Sequence, residues 1–215
     1  MDGDLPFFPL LLNICGRECL VVGAGKVAAG KIDGLLNHGA KIIVIAPRAV
    51  RSIKNQARKG LLTLHSRNFS PSDVNGAFLV VAATNSSEVN GAVFRASRAR
   101  RVLCNAVDDP ENCDFFYPAV VRRGLLQIAI STNGQNPGLA ARLRKELELQ
   151  FGPEWSLWVK HTGKLRRKIL GQKMSIAERR QRLRKLTSPA ALRSFLRKPI
   201  KQKPENSKSA KRRCN

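Results

Sequence analysis

Two short stretches carry residue types that could do chemistry together. The first is Gly23-Ala24-Gly25-Lys26-Val27-Ala28, a glycine fingerprint with Ala at its third position, set directly after the apolar run Leu20-Val21-Val22. In this pattern the first glycine permits a tight turn, the second lets backbone approach a pyrophosphate, and the small third residue lets helix and strand pack closely. A helix starting there offers free N–H groups and a partial positive charge to a phosphate. The second stretch is Asp108-Asp109, which follows the apolar run 102–106 and precedes Pro110. A carboxylate at the carboxyl end of a strand lies on the side where open α/β sheets place ligands, and there it can take or give a proton beside a cofactor. An ordinary Asp-Asp-Pro turn has the same pattern.

Other candidates are weaker. Residues 25–31 overlap most of a P-loop, but Ile32 stands where Ser or Thr must hold magnesium, and the glycine run starts too late after the strand. That reading is rejected. The acidic residue expected to bind an adenosine ribose is missing from the end of the run KIIVIA, and Pro47-Arg48 stands there instead. Arg48 could meet a ribose phosphate, which leaves NADP open beside NAD, or it could simply begin a basic helix. His38, His65 and His161 are scattered without metal-ligand spacing, so no metal site is expected. The five cysteines are odd in number and form no CxxC pair, which suggests neither a disulfide framework nor zinc. Cys15, Cys19 and Cys104 lie in or beside apolar runs and are expected to be buried free thiols.

Strands and helices must recur at set intervals to hold these groups. Strand-like runs occur at 18–22, 41–46, 61–66, 77–83 and 102–106, with helical stretches at 26–37, 48–58 and from Ser86 or Ser87 to about Arg98. In the first helix Val27, Ile32, Leu35 and Leu36 have roughly helical spacing, and His38-Gly39 supplies the stop. Continuous apolar runs such as KIIVIA and AFLVVAA, the latter followed by Thr84, suit parallel strands covered on both faces. This alternation predicts an α/β fold with a Rossmann-type parallel sheet. Ahead of it, residues 7–13 read as a strand or an apolar lead-in docked on the sheet. Behind it, 119–121 and 125–131 read as a hairpin around Arg122-Arg123-Gly124, and Asn136-Pro137 begins the next helix. Residues 154–198 mix Leu, Ile and Trp with basic residues and read as helical. The expected organisation is a dinucleotide-binding domain at 1–114, a small α+β region at 115–150, a helical domain at 151–198 and a basic, disordered tail at 199–215.

The formal net charge is +24, from 39 Lys and Arg against 15 Asp and Glu. Residues 151–215 hold 20 of the basic residues and only Glu154, Glu178 and Glu205 as acids, so +17 of the charge sits there. Such a segment attracts polyanions: nucleic acid, anionic lipid or an acidic small molecule. Without aromatic interleaving or a recognition motif, nucleic acid is the weaker choice. The start MDGDLPFFPLLL does not match a secretory signal, and no run approaches the length needed to cross a bilayer. A soluble, cytoplasmic protein is expected.

Taken in order, the segments PFFPLLLNICGRECLVVGAGKVAAGK, KIIVIAP, AFLVVAATN and VLCNAVDDPENCDFFYPAVVRRGLLQIAISTNGQNPGLAARLRKELE closely resemble one family. It is the precorrin-2 dehydrogenases of siroheme synthesis, some of which also act as sirohydrochlorin ferrochelatase or form the N-terminal part of a larger siroheme synthase. The resemblance covers residues 5–150 and continues more weakly to about 198. It implies NAD-dependent oxidation of precorrin-2 to sirohydrochlorin by a homodimer, with 115–150 as the dimerisation region. It also implies that Gly23, Ala24, Gly25, Lys26 and Val27 line the cofactor, joined by Pro47, Arg48 and Thr84 at the next two strand ends. Asp108 takes the place of the family's essential aspartate, a general base or proton relay that is also implicated in metal insertion in bifunctional members. Asp109 beside it, and Ser131, Thr132 and Asn133, match substrate-facing positions. Gly30 departs from the pattern, since relatives often carry Arg there.

The substrate so implied is a tetrapyrrole rimmed with carboxylates, and Lys and Arg of 160–198 are expected to help bind that rim. Fe2+ enters only as the substrate of a chelatase activity. The competing reading is an NAD-sensing module whose basic C-terminal segment grips nucleic acid. The Asp108 block argues for the enzyme, because a sensor needs no strand-end carboxylate beside its cofactor.

Overall fold

The structure, a computed structural model, describes residues 7–197, so the tail expected at 199–215 lies outside the described residues. They divide into two compact units, 7–117 and 118–197.

The first unit grows from runs whose residues are apolar almost throughout. In chain order it holds β1 (Glu18–Val22), α1 (Lys26–Leu36), β2 (Lys41–Ile45), α2 (Arg51–Arg58), β3 (Thr63–His65), β4 (Leu79–Ala82), α3 (Ser87–Ala99) and β5 (Leu103–Ala106). All strand pairs are parallel, in the order β3-β2-β1-β4-β5. Successive side chains of a strand point to opposite faces, and both faces here are covered. Val21, Val44 and Val81 meet Ile32 and Leu35 of α1 and Ile53 of α2 on one side. Leu20, Val22 and Val80 meet Val93 and Phe94 of α3 on the other. Each such apolar side chain contributes roughly 1.5–3 kcal/mol when fully buried. The chain runs outward from β1 to β3 and then returns to place β4 on the other side of β1. That reversal opens a crevice at the carboxyl ends of the strands.

Several local expectations are corrected by packing. Residues 7–13 form no strand; Phe8 and Leu11 are exposed, and Phe7 packs against Phe116 with ring centroids 4.7 Å apart. Of the apolar residues at helical spacing in α1, Ile32 and Leu35 are buried while Val27, at the helix start, is 54% exposed. α2 begins at Arg51 rather than at 48, because 48–50 form a loop in which Val50 N–H donates to the Ala24 carbonyl at 3.0 Å. Cys19 and Cys104 are buried free thiols, with burial pushing them up to about 11 and about 12. Cys15 is only half-buried and is disulfide-bonded, not the free thiol expected.

The second unit starts with the antiparallel hairpin β6 (Ala119–Arg123) and β7 (Leu126–Ile130), turned at Gly124. Four helices follow: α4 (Pro137–Gln150), α5 (Glu154–Leu170), α6 (Ile176–Leu186) and α7 (Pro189–Leu196). Asn136 caps α4 by accepting from Leu139 N–H at 2.8 Å, with Pro137 at the first helical position. Arg123 closes the other end, donating to the carbonyls of Glu148 at 2.9 Å and Phe151 at 2.6 Å. Buried Trp158 of α5 packs against Phe195 of α7 at 5.1 Å. No helix among the described residues is long and apolar enough to cross a membrane.

Candidate functional site

The glycine turn leaves β1 at the switch between β1 and β4. Gly23 has φ +104°, and a Cβ there would overlap the Ala83 carbonyl just beyond β4. Glycine is therefore required on two counts, backbone conformation and close approach. Gly23 N–H donates to the Ile45 carbonyl at 2.9 Å, which ties the turn to the end of β2. Ala24 is buried and Ala28 is wholly enclosed, so helix and strand do approach closely where the third fingerprint residue stands. Gly25 differs. It is the residue before the first turn of α1, it is exposed, and a Cβ built on it would meet nothing within 4 Å. α1 has no side-chain cap and no acidic residue in its first turn. The open space above Gly25 and the uncapped N–H groups of a helix start together fit a dinucleotide pyrophosphate. Lys26 and Val27, both exposed, flank that space in sequence.

The other strand ends lie on the same edge of the sheet. Pro47 and Arg48 follow β2, both exposed, and Arg48 stands in the loop before α2 rather than inside the helix. Thr84 follows β4 and is locked in place by Asn90 of α3. Its hydroxyl donates to Asn90 Oδ1 at 2.8 Å, and Asn90 Nδ2 donates back to the Thr84 carbonyl at 3.2 Å. Asn90 is buried, and nothing in its local sequence pattern marked it out.

The turn after β5 is built from side chains. Asp108 is exposed and has φ +61°, a conformation uncommon for a residue other than glycine and more often met in Asn and Asp. Buried Asn105 donates to the Phe115 carbonyl at 2.8 Å. Asp114 accepts from Cys104 N–H at 3.0 Å, while its own N–H donates to the Cys104 carbonyl at 2.8 Å. The Cys113 thiol donates toward the carbonyls of Ala106 at 3.1 Å and Asp109 at 3.3 Å. Burial pushes that thiol up, which keeps the proton those contacts need. Asp109 is half-buried, and its carboxylate accepts from Asn112 Nδ2 at 2.6 Å within the short 3-10 turn Pro110–Asn112. Asp109 therefore holds the turn, and Asp108 is the carboxylate left facing solvent at the strand end.

Two further residues belong to this corner of the unit. Lys31 of α1 is half-buried, with Nζ 3.7 Å from the ring centroid of Tyr117. Burial lowers its pKa, and the Asp108 carboxylate opposes that shift. Spacing along the chain gave no signal for either, since they come from distant segments.

Ser131, Thr132 and Asn133 lie in the second unit, in the loop between β7 and α4. Asn133 has φ +51°; its N–H donates to Ser131 Oγ at 3.1 Å, and Asn136 N–H donates to Thr132 Oγ1 at 3.1 Å. The loop thus holds its own shape and keeps Ser131 and Asn133 exposed. The same unit contains a 610 Å3 groove floored by Trp158, His161 and Phe195 with Lys164 among its lining residues. No group of three or more metal-ligating side chains occurs among the described residues.

The comparisons with known proteins agree with this geometry. An NAD(P)-binding family model matches residues 10–119, half of the chain, and a model described as sirohaem biosynthesis protein central matches 123–150. A siroheme synthase of Nitrosococcus oceani is 37% identical over 190 residues, covering 81% of this chain and 41% of the relative. Siroheme synthase 2 of Yersinia pestis is 36% identical over 177 residues, covering 82% and 38%. The chain thus spans about two fifths of the length of the curated relatives it matches. A solved structure named SirC, precorrin-2 dehydrogenase, superposes with a TM-score of 0.72 at 28% identity, over 88% of this chain and 97% of that one. With its glycine turn, parallel sheet and following central segment all accounted for, the chain belongs to the NAD(P)-binding family, in the branch that carries the sirohaem biosynthesis central segment.

Proposed function

We propose that this chain oxidises precorrin-2 to sirohydrochlorin with NAD, as a cytoplasmic homodimer serving siroheme synthesis. The observation that carries the reading is the sharing of one sheet edge by the glycine turn after β1 and the Asp108 turn after β5, with β4 alone between them. The name of SirC, precorrin-2 dehydrogenase, supplies the substrate, and those of the similar siroheme synthases supply the pathway.

Gly23, Ala24 and Gly25 with the first turn of α1, Lys26 and Val27, would hold the pyrophosphate, and Pro47, Arg48 and Thr84 would border the rest of the dinucleotide. When bound, the nicotinamide supplies a hydride acceptor. Asp108 supplies the complementary group. It is a general base that takes the proton leaving the macrocycle as the hydride is lost, so two hydrogens depart in each turnover. Asp109 keeps the Asp108 turn in shape beside the substrate. Ser131, Thr132 and Asn133 offer hydroxyl and amide groups to the substrate's polar rim, and the basic residues of 160–198 attract its carboxylates. A base that removes one proton from the macrocycle can also remove pyrrole protons, which makes Fe2+ insertion a second activity to test.

The experiment supplies precorrin-2 and NAD to the wild-type chain and to Asp108→Ala, and then adds Fe(II) or Co(II). Sirohydrochlorin and NADH should form with the wild type and not with the variant. Oxidation by Asp108→Ala at the wild-type rate contradicts the assignment of the base. Sirohydrochlorin without metal insertion makes the chain a dehydrogenase alone. Gel-shift binding of DNA with no turnover favours the NAD-sensing alternative.

A further inference from the structure

The charged side chains of α1 are Lys26, Lys31 and Asp33. Lys26 lies at the exposed helix start, and Asp33 accepts from Gln56 Nε2 at 2.7 Å. Lys31 stands apart. Its ammonium lies 3.7 Å over the Tyr117 ring, and among the described residues it makes no hydrogen bond or ion pair. Tyr117 is itself held: Phe115 meets it edge-on at 5.6 Å and 62°, and the Phe115 carbonyl is bound by buried Asn105. The network that shapes the Asp108 turn therefore also sets the shelf beneath Lys31.

A lysine ammonium has three N–H donors and no acceptor. An aromatic face attracts the cation through the ring quadrupole but uses none of these donors in a hydrogen bond. Burial lowers the pKa of Lys31, and the Asp108 carboxylate, with which it forms no ion pair, opposes that shift. A half-buried cation with unused donors, fixed on an aromatic ring, is suited to an anionic group that comes from outside.

We propose that Lys31 receives a carboxylate of the substrate, with Tyr117 fixing the ammonium, and so contributes affinity for the bound macrocycle. The inference rests on the reading above for the identity of the substrate. It adds one contact that neither the glycine turn nor the basic C-terminal helices provide. Gly30, next to Lys31, is exposed with nothing within 4 Å of a Cβ built on it, which leaves the neighbouring surface clear.

The test is equilibrium binding of sirohydrochlorin, and separately of its methyl ester, to wild type, Lys31→Met and Lys31→Arg. Lys31→Met should weaken the free acid by about tenfold or more, as expected for a lost charge-assisted hydrogen bond. It should leave the ester and NAD affinities unchanged, and Lys31→Arg should recover most of the loss. In turnover, KM for precorrin-2 should rise while kcat stays within about twofold. Equal affinity of the free acid for wild type and Lys31→Met overturns the proposal. A fall in kcat at constant KM also overturns it, since Lys31 would then act on Asp108 alone. A parallel loss of NAD affinity reassigns it to the cofactor. Should Lys31→Met melt earlier than wild type, Lys31→Gln is measured in its place. Binding that follows these expectations without any NAD-dependent turnover leaves the Lys31 contact standing and refutes the dehydrogenase reading instead.

Discussion

The turn after β1 and the turn after β5 stand on one sheet edge and are made in opposite ways. The first is shaped by missing side chains: Gly23 has no room for a Cβ against Ala83, and Gly25 leaves empty space over the start of α1. The second is shaped by a density of short polar side chains, with Asn105, Asn112, Cys113 and Asp114 each bonded back to the chain around Asp108. A phosphate is gripped by backbone N–H groups, so a cradle for it needs side chains out of the way. A proton is moved by one carboxylate, so its turn must hold that carboxylate and nothing else toward the ligand. The two constructions assign separate losses to separate substitutions.

The largest separation is expected at Asp108. Asp108→Asn keeps the size of the side chain and should lower kcat on the order of 10²–10⁴-fold, with NAD affinity unchanged in a titration. Loss of NAD affinity in that variant would merge the two turns into one site element. Next comes Gly23→Ala. Positive φ costs about 1–3 kcal/mol for a residue other than glycine, and overlap with the Ala83 carbonyl adds to it. Thermal melts should fall by about 2–4 °C for each kcal/mol lost.

Asn105→Ala removes a buried donor from the Phe115 carbonyl and should cost about 1–3 kcal/mol in denaturant unfolding. It should also slow turnover without moving NAD affinity, since it acts on the aspartate turn alone. Gly25→Ala is the converse. Nothing in the chain opposes its Cβ, so it should melt like wild type yet bind NAD about tenfold more weakly, about 1.4 kcal/mol.

The smallest effect is a control outside both turns. The two-pronged contact from Arg67, at 2.8 and 2.6 Å, holds the Asp73 carboxyl below the usual carboxylate range, and this contact lies at the exposed surface. A depressed carboxyl pKa stabilises the fold above the ordinary value, and the contribution is lost as pH falls through the folded-state value. Melts of Asp73→Asn should therefore lie slightly below wild type at neutral pH and converge with it in acid, with NAD affinity and turnover untouched.

The contrast also explains what could be read in the chain beforehand. The glycine turn was legible because its cause is local: two glycines and a small residue at fixed spacing after an apolar run. β2 and β4 were legible because strands covered on both faces are apolar at nearly every position. In the NAVDDPENCDF stretch the acids were visible, but not which of them would be consumed holding the turn. Asp109 is engaged by Asn112 and Asp114 by Cys104, and those contacts exist only once the loop has folded back on β5. Lys31 and Tyr117 meet across most of the unit's sequence, so no periodicity connects them. For residues 7–13 apolar composition left a strand and an apolar lead-in both open, and this segment forms no strand in the fold.

The most direct test of the account is a count of products. Wild-type chain is mixed with NAD and a limiting amount of precorrin-2, and NADH and sirohydrochlorin are quantified together by absorbance until the reaction stops. The account predicts one NADH for each sirohydrochlorin, formed catalytically and saturating in both substrates. NAD binding with no sirohydrochlorin formed, or sirohydrochlorin formed without matching NADH, would contradict it.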